Sequence, residues 1–150
     1  MLEKVKILLA EDDLKTATLI YELLSANSIY EIKWVENGAL AVDAALKENY
    51  DIIFMDIQMP VMDGIEATKT LRIAGYQGLV VALTAYFEKE KCLAAGMNDY
   101  IQKPFSIKDF IRKMNELNYK KGASEELSPV SEIKNNQAID LENFLNKIDN

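Results

Sequence analysis

The sequence predicts a doubly wound α/β domain, a five-stranded parallel sheet with helices on both faces, followed by a C-terminal extension. Three observations carry this. Short β-branched apolar runs alternate strictly with segments of helical period. The central runs, Ile52–Met55 and Leu79–Leu83, are unbroken in apolar residues, as strands buried on both faces require. Polar residues stand just past the carboxyl ends of the strands, where open α/β sheets place their sites.

The first strand is expected over Val5–Leu9 and the first helix over Leu14–Ser25. Asp13 directly precedes that helix and suits an N-cap more than a share in a metal site. Ile29–Val35 reads as the second strand and Ala39–Lys47 as the second helix. After the third strand, "DGIE" pairs Asp63 with Glu66 as a helix start for Gly64–Ala74. The fourth strand leads into a helix expected over Phe87–Ala95, and Tyr100–Ile101 forms a short fifth strand. The last helix, Ile107–Leu117, repeats apolar residues at 107, 110, 111, 114 and 117. Its start is marked by "SIKD", with Ser106 as N-cap, Asp109 three residues on, and Phe105 and Phe110 at staple positions.

Composition excludes several function classes. A chain of 150 residues that is 49% hydrophobic suits one globular domain with a sizeable core. It contains no histidine, which removes Ser-His and Cys-His nucleophile pairs and most zinc sites. The single cysteine, Cys92, forms no internal disulfide and fits a reducing compartment; Cys92, Met55, Met59 and Met62 read as packing residues. With 24 acidic and 17 basic residues, a net charge of −7 and no basic cluster, nucleic-acid binding is not expected. No apolar run reaches the roughly 20 residues of a membrane helix, and the N-terminus lacks a signal-peptide pattern, so a cytoplasmic setting is expected.

What remains is a set of polar residues at one sheet edge. "AEDD" supplies Glu11, Asp12 and Asp13 after the first strand, Asp56 ends the third, Thr84 the fourth, and Lys103 comes after the fifth. Clustered carboxylates raise one another's pKa unless a cation joins them, and oxygen donors without His or Cys favour a hard ion such as Mg²⁺. Lys103 would add a positive contact for an anionic substrate.

The segments "ILLAEDD", "DIIFMDIQMPVMDGIEA", "LVVALTA" and "AAGMNDYIQKPF", in that order, resemble a receiver domain of two-component response regulators, of the type attached to hybrid histidine kinases. The resemblance runs from about Lys4 to Leu117 and implies the flavodoxin-like, CheY-like variant of the α/β fold. It implies that Asp56 is the phosphoacceptor and that Glu11 and Asp12 hold Mg²⁺, with the backbone carbonyl of Gln58 completing the protein ligands. Thr84 matches the hydroxyl that contacts the phosphoryl group, Lys103 the family's lysine, and Tyr100 the aromatic switch. The peptide bond between Lys103 and Pro104 is then expected to be cis. The phosphodonor would be a histidine kinase or a histidine phosphotransfer domain.

Two rivals are weaker. A haloacid-dehalogenase-type phosphatase would carry a second aspartate where Gln58 stands and its nucleophile on the first strand. A receiver-like module that is never phosphorylated would be expected to lack one of Asp56, Thr84 and Lys103. The receiver is expected over residues 1–119 and a mobile polar linker over 120–138. Over 139–150, "IDLENFLNKIDN" has amphipathic spacing and reads as a terminal helix or the start of a further, possibly histidine phosphotransfer, domain.

Overall fold

A computed structural model describes residues 4–85 and 88–122, with side chains to Leu117. The residues expected as linker beyond Gly122, and the segment 139–150, lie outside the described residues. The described elements alternate as β1 (Val5–Ala10), α1 (Leu14–Ser25), β2 (Tyr30–Val35), α2 (Gly38–Lys47), β3 (Ile52–Asp56), α3 (Gly64–Ile73), β4 (Leu79–Thr84), α4 (Lys89–Ala95), β5 (Asp99–Gln102) and α5 (Ile107–Gly122). All strands are parallel, in the order β2-β1-β3-β4-β5. The order reverses between β1 and β3, which is where such sheets open a crevice at their carboxyl edge.

Period-two alternation sorts the strand residues between two cores. Ile7, Leu9, Phe54, Val81 and Leu83 face α1 and α5, meeting Ile20, Leu24, Phe110 and Met114. Leu8, Ala10, Ile53, Met55, Val80 and Ala82 face the other three helices, meeting Ala41, Ala44, Ala67, Leu71 and Cys92. Every residue of β3 is buried, so its terminal Asp56 is carried into the interior by the same packing that buries Phe54 and Met55. Each such large side chain contributes roughly 1.5–3 kcal/mol on burial.

The helix starts are built as their sequences dictate. Asp63 Oδ1 accepts from Glu66 N at 2.8 Å, and Asp13 Oδ2 from Thr16 N at 3.1 Å. At α5 the capping box closes both ways, Asp109 N to Ser106 Oγ at 3.0 Å and Ser106 N to Asp109 Oδ2 at 3.1 Å, with the Phe105 and Phe110 rings 5.9 Å apart. Asn37, not expected as a cap, caps α2 through Leu40 N at 2.8 Å and starts that helix at Gly38 rather than Ala39. The helix expected from Phe87 runs from Lys89, and α5 continues past Leu117.

Two glycines let the β3–α3 loop close tightly, one by joining it to the start of α2 and one by closing it on itself. Gly38 N donates to Met62 O at 3.0 Å, and Gly64 N to Ile57 O at 2.8 Å. A Cβ on Gly64 would run into the Asp56 carbonyl and the Met55 side chain. Neither the β3 backbone nor a core methionine can give way cheaply. Gly64→Ala is therefore expected to cost about 2 kcal/mol or more, against about 1 kcal/mol for loss of the Ser106 cap in Ser106→Ala. Urea unfolding of the two variants checks this; equal midpoints would mean that α3 does not need its close approach to Asp56.

Candidate functional site

Three strands deliver charge to one point because each ladder continues a step beyond its strand. Glu11 N donates to Val35 O at 3.1 Å, and Lys103 N to Thr84 O at 2.7 Å, so both residues leave the sheet in a fixed direction. Glu11 is completely buried, and Asp56 is only 6% exposed. Lys103 Nζ bridges them, 2.9 Å from Glu11 Oε1 and 3.2 Å from Asp56 Oδ1. The Lys103–Pro104 peptide bond is cis.

Glu11 is held on every side. Its Oε2 accepts from Asp13 N at 3.2 Å, and its backbone carbonyl accepts from the indole Nε1 of Trp34 at 2.8 Å. Asp12 stays exposed, yet carboxylate oxygens of Glu11, Asp12 and Asp56 all lie within 4.8 Å of one another. Asp13 is spent on capping α1. A cavity of about 130 Å³ opens over this group, floored by Glu11 and Asp56 and walled by Asp12, Gln58, Glu88 and Lys103.

One ammonium does not balance three carboxylates. Burial pushes the Asp56 carboxyl up to about 8, and the neighbouring Glu11 carboxylate pushes the same way, while Lys103 opposes. Burial pulls the Lys103 ammonium down, but its contacts with Glu11 and Asp56 outweigh that and leave it above its ordinary range. An all-oxygen donor set carrying surplus negative charge, open on one side, is what a hard divalent cation takes. Glu11, Asp12 and Asp56 are the side chains that could hold it.

The remaining sequence candidates lie to one side. Thr84 is buried, and its one hydroxyl proton has two acceptors in reach, Ala85 O at 2.8 Å and Glu88 Oε2 at 3.2 Å. Tyr100 lies opposite Ala82 in the β4–β5 register, so Ala82, Thr84 and Tyr100 share one face of the sheet. Lys89 Nζ lies 5.1 Å from the Tyr100 ring centroid and Lys113 Nζ 5.9 Å. Burial raises the Cys92 thiol, the charge of Glu88 adds to this, and the nearby Thr84 hydroxyl partly offsets both.

Two residues at the site are not apparent from the sequence pattern. Glu88 is four residues after Thr84, in a polar stretch at the same sheet edge, and that position is its only signal. Trp34 is the sole tryptophan, one residue from the end of β2, and a half-buried indole N–H needs an acceptor.

The elevated Asp56 pKa has a consequence for stability. A carboxyl raised above its unfolded value of about 3.9 favours the fold fully below that pH, and the benefit is lost as pH rises towards 8. In metal-free buffer Asp56→Asn should therefore gain stability over the parent between pH 5 and pH 8.5, by on the order of 1–3 kcal/mol given the open mouth of the site. Denaturant melts at the two pH values measure this; a pH-independent difference would mean that Asp56 ionises freely.

The chain matches the response regulator receiver domain family over residues 7–115. It is 40% identical over 129 residues to hybrid signal transduction histidine kinase B of Dictyostelium discoideum, covering 75% of this chain but 6% of that protein. Two-component response regulator 24 of Arabidopsis thaliana is 35% identical over 120 residues, covering 77% of this chain and 86% of that protein. Among solved structures, the receiver domain of a Pseudomonas aeruginosa sensor histidine kinase, with a magnesium ion coordinated in its active site cleft, superposes with a TM-score of 0.69 at 36% identity, covering 76% of this chain and 97% of that one. The receiver domain of Saccharomyces cerevisiae Ssk1, solved with the histidine phosphotransfer protein Ypd1, gives a TM-score of 0.70 at 30% identity, covering 78% of this chain and 90% of that one. The chain spans only a small part of the first two curated relatives, 6% and 3% of their lengths. Through residues 7–115 and a sheet of five parallel strands in the CheY-like arrangement, the chain belongs to the response regulator receiver domain family of two-component signalling.

Proposed function

We propose that this receiver accepts a phosphoryl group from a phosphohistidine onto Asp56 and signals through a change in its partner-binding face. The observation that supports it best is the single Lys103 ammonium bridging Glu11 and Asp56 at the mouth of an acidic cavity. Asp56 Oδ attacks phosphorus in line as the donor's P–N bond breaks, and the electron pair leaves on the imidazole nitrogen, which takes up a proton. Transfer of this kind has a loose transition state and asks mainly for positioning and for positive charge around the equatorial oxygens. Lys103 stands where it can turn from the Asp56 carboxylate to those oxygens. Glu11, Asp12, Asp56 and the Gln58 carbonyl would hold Mg²⁺, which when bound keeps Asp56 ionised and neutralises the phosphoryl oxygens. Water later attacks the phosphorus, the bond to Asp56 Oδ breaks, and inorganic phosphate leaves as the carboxylate is restored.

The donor would be a histidine kinase or histidine phosphotransfer domain. Beside Lys103, a groove of about 350 Å³ is lined by Thr16, Leu19, Pro104 and Phe105, and Leu14 at the start of α1 is 65% exposed. An apolar rim next to the nucleophile suits a helical donor presenting one imidazole. Thr84 and Tyr100, on one face of β4 and β5, would carry the change to the surface built by α4, β5 and α5. Relatives that include hybrid kinases are compatible with a place inside a larger, membrane-anchored protein. No helix among the described residues is long and apolar enough to cross a membrane.

Mg²⁺ titration should perturb Trp34 emission, since its indole N–H is bonded to the backbone of Glu11, and should raise the melting temperature. Asp12→Ala should abolish both responses; an unaltered titration in that variant would move the cation elsewhere. Acetyl phosphate with Mg²⁺ should add one alkali-labile phosphoryl group, read by intact mass. Asp56→Asn should eliminate the label and keep the fold, whereas Lys103→Ala should still be labelled but show a weaker spectral response. Labelling of Asp56→Asn at the parent rate would sink the assignment of the acceptor.

A further inference from the structure

We propose that Glu88 is a positioning residue for the acceptor site: its carboxylate holds the Thr84 hydroxyl on the α4 side of the sheet until Asp56 carries a phosphoryl group. This rests on the phosphoacceptor reading and adds the group from which the phosphoryl must win Thr84. A threonine hydroxyl has one proton, and here both its acceptors, Ala85 O at 2.8 Å and Glu88 Oε2 at 3.2 Å, lie after the strand. The carbonyl is the shorter contact, and the carboxylate is the one that carries a charge, so it is the partner that an incoming anion would displace.

Glu88 stands at the N-cap of α4, where Ser, Thr, Asp or Asn would normally bond the first turn. Its side chain makes no capping bond and reaches back to Thr84 instead. It also walls the cavity above Asp56. A phosphoryl group brings roughly two negative charges into that cavity, repelling Glu88 while offering Thr84 a better acceptor. Both effects open the latch in the same direction. The next residue, Lys89, covers the Tyr100 ring at 5.1 Å, so a shift of Glu88 is passed to the aromatic through one peptide unit.

The test uses the full chain with Glu88→Ala and Glu88→Gln, each also in a Thr84→Val background. Glu88→Ala should raise the initial rate of labelling by acetyl phosphate and Mg²⁺ about two- to tenfold, the equilibrium weight of one such hydrogen bond. Glu88→Gln keeps an acceptor without the charge and should give a smaller gain. With Thr84→Val the gain from Glu88→Ala should vanish, because the cycle isolates the pair. Before any donor is added, backbone amide shifts of β4 and α4 in Glu88→Ala should move towards those of the phosphorylated parent. Mg²⁺ affinity read at Trp34 should fall by the same small factor in Glu88→Ala and Glu88→Gln, since both remove only a charge from the cavity wall. A gain that survives in Thr84→Val would reduce Glu88 to a general charge effect, and a much larger loss of Mg²⁺ binding in Glu88→Ala than in Glu88→Gln would make it a cation ligand; either overturns the latch, as does no gain at all. A parent that cannot be labelled defeats the phosphoacceptor reading itself, whereas a labelled parent with an unresponsive Glu88→Ala defeats only the latch.

Discussion

The ammonium of Lys103, shared at 2.9 and 3.2 Å between Glu11 and Asp56, is the contact around which this molecule is arranged. A fully buried glutamate beside a 6% exposed aspartate is a costly thing to fold, because desolvation penalises both charges and their mutual repulsion adds to it. One lysine relieves part of that and leaves the Asp56 carboxyl still far above its ordinary range. The remainder is a standing affinity for positive charge, built into the fold and available to whatever cation enters. Stability has been given up at this edge, and the apolar sheet beneath it, buried through β3 and most of β1 and β4, is what makes that tolerable.

The topology explains why these groups meet. β1 and β3 are sheet neighbours, so Glu11 and Asp56 leave adjacent strands at the same edge. β5 is two strands away from β3, and only a long side chain can return from it; Lys103 has the reach, and its direction is fixed by Lys103 N bonding to Thr84 O. The other edge of the sheet is tied down differently. Arg72 donates to the carbonyls of Gly96, Tyr76 and Gly78 and to the Asn98 side chain, binding the end of α3 to the approaches of β4 and β5. Five donors in a rigid fork suit that task, leaving the carboxyl edge to the acidic cluster and Lys103.

Most of this is legible in the amino-acid sequence because it depends on local rules. Alternation marks the strands, and side-chain oxygen at the right offset marks the caps at Asp13, Asp63 and Ser106. The polar residues that the structure brings together, Glu11, Asp12, Asp56 and Lys103, all stand at or just past the carboxyl end of a strand, a position that the alternation already locates. Asn37 is harder to see, because the glycine after it weakens the helical pattern that would point to a cap. Trp34 and Glu88 are hidden for a deeper reason: their partners, the carbonyl of Glu11 and the hydroxyl of Thr84, are set by register and by loop direction, which a one-dimensional pattern does not contain. The orientation of the Thr84 hydroxyl belongs to the same class, since sequence names the group and only packing aims it.

A receiver that answers a charge at one edge needs an element that costs little to move, and the helices differ in this respect. α1, α2 and α3 each have a side-chain cap and four buried residues. α4 is seven residues long, has no side-chain cap bond and buries only Cys92 and Ala95. A helix of that length is held by tertiary contacts rather than by its own hydrogen bonds. Its contacts with β5 are also of a kind that a small shift can alter, since the Lys89 ammonium over the Tyr100 ring is a partly exposed cation–π pair worth about 0.5–1 kcal/mol. A change of charge beside Glu88 therefore meets little resistance in α4 and much in α2 and α3. On the proposed reading, the response would run towards the α4–β5 side, because that is where the least packing would have to be undone.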